Sequence, residues 1–286
     1  MIQTNSIYVG DAMKFLSSLP DESADLIIAD PPYSLEKDRE FGAGAFFESR
    51  DEWLVWCKLW LAQSKRILKP KGNIFVYAIH HNACFLQCYM YELGLEYRRQ
   101  IVWHYENGWS KYRNGPACHY EPILWFARQR DSTFHVIREP YKSQERLRHR
   151  ITKNGKVWSP NPSGRQGGDV WKFPTLAGRR FAEERTEHPT QKPLPLSRRL
   201  IEHFSNPSDL VVIPFVGSGS ECVAAIETGR QFIGAEINTA YAEIAFSRIA
   251  QTSTKLFHHP SEKSSCQSIA SESVSVSPNH RDIIVV

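Results

Sequence analysis

The feature that most constrains this chain is the alternation of short β-branched or aromatic runs with longer amphipathic ones. Ser6–Val9 and Asp25–Ala29 read as strands on either side of a short helix, Ala12–Leu19. Asp51–Leu68 has apolar residues at helical spacing (Trp53, Leu54, Trp56, Cys57, Trp60, Leu61) and meets a stop signal at Lys69-Pro70-Lys71-Gly72. Asn73–Ala78 then reads as a buried strand, His81–Leu93 as a helix closed by Gly94, and Arg99–Tyr105 and Pro122–Ala127 as further strands. The pattern resumes later with a helix near Pro195–Phe204, a strand Leu210–Ile213, a helix Glu221–Thr228, a strand Phe232–Ala235 and a helix Tyr241–Gln251. This rhythm predicts an α/β fold: a Rossmann-like, mostly parallel sheet with helices on both faces. At 286 residues, 41% of them hydrophobic, the chain can bury a full-sized core, as one large domain or as one domain with a substantial insertion.

Between Asp131 and Glu187 the rhythm is lost to a stretch rich in Arg, Lys, Gly and Pro, too long for a structureless loop inside a compact core. The chain therefore divides into an α/β half at 1–130, an inserted recognition element at 131–187, a second α/β half at 188–251 and a Ser-rich tail at 252–286, read as disordered. Charge follows the same division. Arg128 to Leu200 holds 17 Lys or Arg against 7 Asp or Glu, an excess of +10, which leaves the rest of the +4 chain at −6. Such a block is the footprint of a polyanion-binding surface or, equally, a solvated Arg-rich loop region. Lys111, Arg113, Arg146, Arg148, Arg150, Lys153, Lys156 and Arg165 are the candidate phosphate contacts, and the aromatic-basic run Trp103–Tyr120 could face the same ligand or form a sheet-edge loop.

No apolar run reaches the length of a membrane span, and MIQTNSIYVGD has neither the basic nor the long apolar region of a signal peptide. Cys57, Cys84, Cys88, Cys118, Cys222 and Cys266 are scattered and mostly flanked by apolar residues, as reduced thiols of a cytoplasmic protein would be. His80, His81, Cys84 and Cys88 lack a second ligand pair at finger-like spacing, so a packed apolar helix is expected there and no metal.

Two segments carry chemistry. Leu210–Gly219 reads LVVIPFVGSG, an apolar strand entering a tight Gly turn and then a helix, and Glu236 follows nineteen residues after Gly217 at the end of the next strand. Glycines let a ligand approach the backbone, and an acid at that distance can accept from a ribose diol. The glycines do not spell the dinucleotide fingerprint, which suits an adenosine cofactor without a pyrophosphate; an ordinary Gly turn is the plainer alternative. Asp30-Pro31-Pro32-Tyr33 directly follows the strand DLIIA. Either this is a mere Pro-rich turn, or it holds a carboxylate, a carbonyl and an aromatic ring at the strand end where ligands bind. Such a set suits an exocyclic amine: two acceptors favour the pyramidal form whose lone pair can attack, and the ring holds the base flat.

The ordered set GDA (Gly10–Ala12), DPPY, HPTQKP (His188–Pro193), VVIPFVGSGS and FIGAEINTAYAEIAFSRI resembles the β-class amino DNA methyltransferases, above all the adenine-specific members, over roughly residues 6 to 250. The resemblance implies a circularly permuted motif order, with the catalytic half first, a target-recognition region at 131–187 and the cofactor half last. It implies S-adenosylmethionine as cofactor, N6 of an adenine flipped out of double-stranded DNA as acceptor, and a bacterial or phage-encoded, nucleoid-associated protein, monomer or homodimer, with or without a cognate restriction endonuclease. Carried onto this chain, Asp30 and Pro31 accept from the target amine, Pro32 stiffens the turn and Tyr33 packs on the base. Phe215, Gly217, Ser218 and Gly219 wrap the methionine part, Glu236 takes the ribose, Ile237 lies on the cofactor's adenine, Asp11 meets its amine, and Thr190 and Lys192 meet the methionine carboxylate. One position departs. Ile213 stands where the family has an Asp near the methionine ammonium, a loss of a charge-assisted hydrogen bond of about 1.5–3 kcal/mol. Cytosine-N4 methylation and a non-catalytic DNA-binding descendant are the two alternative readings.

Overall fold

The computed structural model describes residues 3–33, 47, 49–108, 115–258 and 283–285. The first half runs β1 (Ser6–Val9), α1 (Ala12–Ser18), β2 (Ala24–Ala29), α2 (Arg50–Ile67), β3 (Leu68–Tyr77), α3 (Ala83–Glu92), β4 (Glu96–His104) and β5 (Tyr120–Ala127). Short strands follow: β6 (Arg138–Glu139), β7 (Ile151–Lys153), β8 (Lys156–Trp158), β9 (Arg165–Gln166) and β10 (Val170–Lys172). The last part runs α4 (Leu194–Phe204), β11 (Leu210–Ile213), α5 (Ser220–Glu227), β12 (Gln231–Glu236), α6 (Thr239–His258) and β13 (Ile283–Val285).

Among the described residues, nine strands form one sheet in the order β10-β4-β5-β3-β2-β11-β12-β1-β13. From β3 through β1 it is parallel, and β10 joins β4 in parallel. β5 runs against β3 and β4, and β13 against β1. Period-two alternation on the buried strands sorts side chains to two faces. Leu26, Ile28, Phe75, Tyr77, Val211 and Ile213 meet Leu196, Leu200, Val223 and Ala245 of α4, α5 and α6. Ile27, Ala29, Ile74, Val76 and Val212 meet Leu16, Trp53, Trp60 and Leu86 of α1, α2 and α3. The expected mostly parallel sheet with helices on both faces is the fold observed. Among the described residues no helix is long and apolar enough to cross a membrane.

Three expectations need correction. Lys69–Gly72 ends α2 but opens no loop: Leu68 already pairs with Ala24, and an irregularity in register absorbs the four residues before Asn73 meets Leu26. The stretch 131–187 is not wholly an appendage, because Val170–Lys172 is the edge strand beside Val102–His104, with Trp171 buried. The tail is not irregular from Thr252 onward. α6 continues to His258, its Thr252, Ser253 and Thr254 hydroxyls bonding back to the carbonyls of Arg248, Ile249 and Ala250, and Ile283–Val285 adds a strand beside β1. The rest of the tail, with Cys266, lies outside the described residues.

β2 and β11 come from distant parts of the chain, lie side by side and point the same way. From β2 the chain turns toward β3, and from β11 toward β12, so the crossovers leave in opposite directions. This switch point leaves a crevice at the carboxyl ends of the two central strands, where such sheets bind ligands.

Candidate active site

That crevice is a cavity of about 620 Å3. The end of β2 delivers Asp30–Tyr33, the end of β11 Pro214–Ser218, the end of β12 Glu236, and the end of β1 Gly10 and Asp11. Val9 pairs with Glu236, which sets the last two groups side by side. Because β5 is antiparallel, its beginning reaches the same edge and brings Tyr120 and Glu121 into the wall.

The Asp30–Tyr33 turn is tied down by hydrogen bonds. Trp53 Nε1 donates to the Pro32 carbonyl at 2.7 Å. Tyr33 donates its hydroxyl proton to Asp30 Oδ1 at 2.6 Å, and Lys192 Nζ donates to Asp30 Oδ2 at 2.7 Å. The Lys192 side chain is 4% exposed, so this ion pair is shielded from solvent. Glu121 Oε2 lies 3.8 Å from the same ammonium, too far for a hydrogen bond, and the Tyr77 ring centroid lies 4.9 Å from it. Burial alone would lower the Lys192 pKa, but the Asp30 and Glu121 carboxylates outweigh it and the net shift is upward. Burial pushes the Glu121 carboxyl up, against the pull of Lys192, and pushes the Tyr33 hydroxyl up together with the nearby Asp30 charge. Among the described residues, Glu121 Oε2 and the Tyr77 hydroxyl are buried without a hydrogen-bond partner. Lys192, expected at the cofactor's carboxylate, is thus held on the Asp30 carboxylate.

The glycine loop is shaped by close approach. Gly217 has φ +53°, and a Cβ there would stand 2.9 Å from His188 Nε2. Gly219 has φ +78°, and its Cβ would stand 2.8 Å from Ala245 Cβ. Arg248 Nη1 donates to the Ser218 carbonyl at 2.7 Å and reaches the Ser218 and Ser220 hydroxyls at 3.2 and 3.1 Å. Glu236 accepts from the backbone N–H of Gly217 (2.8 Å) and Asn238 (2.9 Å), while burial raises its pKa against these bonds. His188 packs edge-on to Tyr241, and burial lowers its pKa to about 4, so the ring is neutral at neutral pH.

All four residues of the tetrapeptide line the cavity, as do Asp11, Thr190, Lys192, Phe215, Gly217, Ser218, Glu236 and Ile237. Gly219 does not; it stands behind the wall against α6. These residues fit S-adenosylmethionine. Among the described residues the lining holds five carboxylates (Asp11, Asp30, Glu121, Glu221, Glu236) and one ammonium, which suits a ligand bearing a sulfonium and an α-ammonium. Ile237 lies at the cavity yet is 56% exposed, an open apolar surface for a flat ring.

A family model described as DNA methylase matches residues 24–247. The chain belongs to the N6/N4 DNA methylase family. This methylase is 32% identical over 254 residues to the type II methyltransferase M1.MboII of Moraxella bovis, covering 86% of this chain and 96% of that one. It is 33% identical over 253 residues to the DNA adenine methyltransferase YhdJ of Escherichia coli (strain K12), covering 86% and 83%. The crystal structure of an M1.HpyAVI–SAM complex aligns with TM-score 0.56 at 25% identity, over 87% of this chain and 99% of that one. PvuII DNA methyltransferase (cytosine-N4-specific) aligns with TM-score 0.65 at 19% identity, over 90% and 93%, and shows the shared fold.

Sequence reasoning missed Glu121 and Glu221 of this methylase, and quoted His188 and Arg248 only as parts of motifs. Glu121 and Arg248 carry no local signal, since strand direction and helix packing bring them in. Of the basic candidates, Arg148, Arg150, Lys153 and Lys156 are exposed and Arg146 is partly so. Arg165 is engaged by Glu139, and Lys111 and Arg113 lie outside the described residues. Among the described residues no three His, Cys, Asp or Glu side chains are grouped as metal ligands.

Proposed function

We propose that this DNA methylase modifies N6 of an adenine flipped out of duplex DNA. The observation that carries the reading is the Asp30–Tyr33 turn, fixed at the end of β2 beside the glycine loop of β11 in one cavity. When bound, S-adenosylmethionine supplies an electrophilic methyl group. Gly217, Ser218 and Phe215 would hold its amino-acid end, Glu236 its ribose and Ile237 its adenine, with Asp11 and Thr190 as further contacts. Asp30 and the Pro31 carbonyl accept from the two N–H bonds of the target amine, which favours the pyramidal form with a free lone pair and stabilises the positive charge that develops. Tyr33 holds the base flat, while its hydroxyl and Lys192 keep the Asp30 carboxylate oriented. The nitrogen becomes acidic only on methylation, so its proton can pass to solvent without a general base.

An Asp at the head of the tetrapeptide supports adenine over cytosine. The exposed cations of the β7–β8 hairpin and its approach, Arg148, Arg150, Lys153 and Lys156, are the proposed phosphate contacts. The test is mass spectrometry of nucleosides from unmodified DNA incubated with the protein and S-adenosylmethionine, beside an Asp30→Ala control. N6-methyladenine that vanishes in the control is the expected result. N4-methylcytosine would overturn the substrate, and no methylated base would favour a DNA-binding protein without activity.

A further inference from the structure

Ile213 is 1% exposed in the core beneath the loop and lines no part of the cavity. The end of β11 therefore offers the cofactor's α-ammonium no carboxylate, and an enclosed ammonium needs one. The other acids of the lining are constrained. Asp11 caps α1 by accepting from the Lys14 N–H at 3.0 Å. Asp30 is shared by Tyr33 and Lys192, and Glu236 by two backbone N–H groups. Glu121 stands on β5, separated from β11 by β3 and β2.

Glu221 differs from all of these in its place, although like Asp11 it accepts one hydrogen bond. It follows the glycine loop directly, in the first turn of α5, and lines the cavity although only 5% exposed. The Ser197 hydroxyl donates to its Oε1 at 2.9 Å and fixes its direction. A carboxylate has about four lone-pair positions, so Ser197 leaves acceptor capacity for a ligand. Ser220, next to it, donates to the Lys192 carbonyl at 2.8 Å and locks this turn to the HPTQKP segment.

We propose that the Glu221 carboxylate accepts the α-ammonium group of the methyl donor, supplying from α5 the negative charge that Ile213 does not provide at the end of β11. The inference rests on S-adenosylmethionine as cofactor and is independent of which base is modified.

The test is calorimetry on the full chain with two neutral thioethers. S-adenosylhomocysteine carries the α-ammonium; 5′-methylthioadenosine keeps the adenosine and lacks the amino-acid group. Glu221→Gln should weaken S-adenosylhomocysteine about 10- to 100-fold and leave 5′-methylthioadenosine within about two-fold, a discrimination that packing damage would not give. Equal weakening of both ligands, or of neither, overturns the proposal. If Glu221→Gln does not fold, Ser197→Ala takes its place, with a smaller loss confined to S-adenosylhomocysteine. Failure of the native chain to bind either ligand would instead refute the cofactor assignment.

Discussion

Lys192→Met removes the one ammonium among the described residues that faces the buried acids of the cavity. At 2.7 Å and an effective dielectric constant of about 20, its attraction to Asp30 is about 6 kcal/mol, and at 3.8 Å that to Glu121 is about 4 kcal/mol. Desolvation of the three charges offsets most of this, and removing one partner of a buried pair costs about 3–5 kcal/mol, because the remaining charges are left uncompensated. Lys192→Met should therefore lose about 3–5 kcal/mol in urea unfolding. Asp30→Asn should lose less, since Lys192 keeps Glu121 and the amide oxygen still accepts. In the double variant the losses should fall short of their sum by about 1 kcal/mol or more. The pH dependence has a definite sign. Without Lys192, the Glu121 carboxyl, already raised by burial, rises further above its unfolded value. The folded state then binds more protons than the unfolded state, so the variant's deficit grows as pH rises and shrinks in acid. Additive losses within about 0.5 kcal/mol, or a deficit independent of pH, would refute the ion cluster as the element that holds the Asp30–Tyr33 turn.

Gly217→Ala adds a Cβ at positive φ, 2.9 Å from His188 Nε2, and should lower stability by about 1–3 kcal/mol and weaken S-adenosylmethionine in calorimetry. His188 has its pKa depressed to about 4 by burial, against 6.5 when unfolded. The unfolded state protonates first, so stability is full above pH 6.5 and declines toward pH 4 by at most about 3 kcal/mol; His188→Gln should flatten that slope in acid unfolding curves. Arg248→Met unpins the Ser218 turn and should raise the cofactor Kd about ten-fold, with unchanged Kd refuting the role. Lys153→Ala and Lys156→Ala should each reduce the slope of log affinity for DNA against log salt by about one.

The layers of this protein were legible because buried parallel strands leave an unmistakable mark. Ile27 and Ile28, or Val211 and Val212, point to opposite faces and are both apolar, so helices must cover both sides. The Lys69–Gly72 irregularity escaped because Pro and Gly signal an end to a helix without saying whether a strand has begun. The late strands escaped because Val170–Lys172 and Ile283–Val285 are three residues long and owe their form to a partner edge.

Sequence alone determined the order of the main strands and helices and the two turns, Asp30–Tyr33 and Pro214–Gly219, that meet at the cavity, since an apolar run, a pair of prolines or a glycine acts on its own backbone. Tertiary structure decided what those residues face. It put Lys192 on Asp30 across 162 positions of chain, brought Glu121 in on a reversed strand, and placed Glu221 rather than residue 213 in the cavity wall. Such pairings are fixed by strand order and direction, which arise from burying the whole sheet at once and leave no trace in the neighbourhood of any one residue.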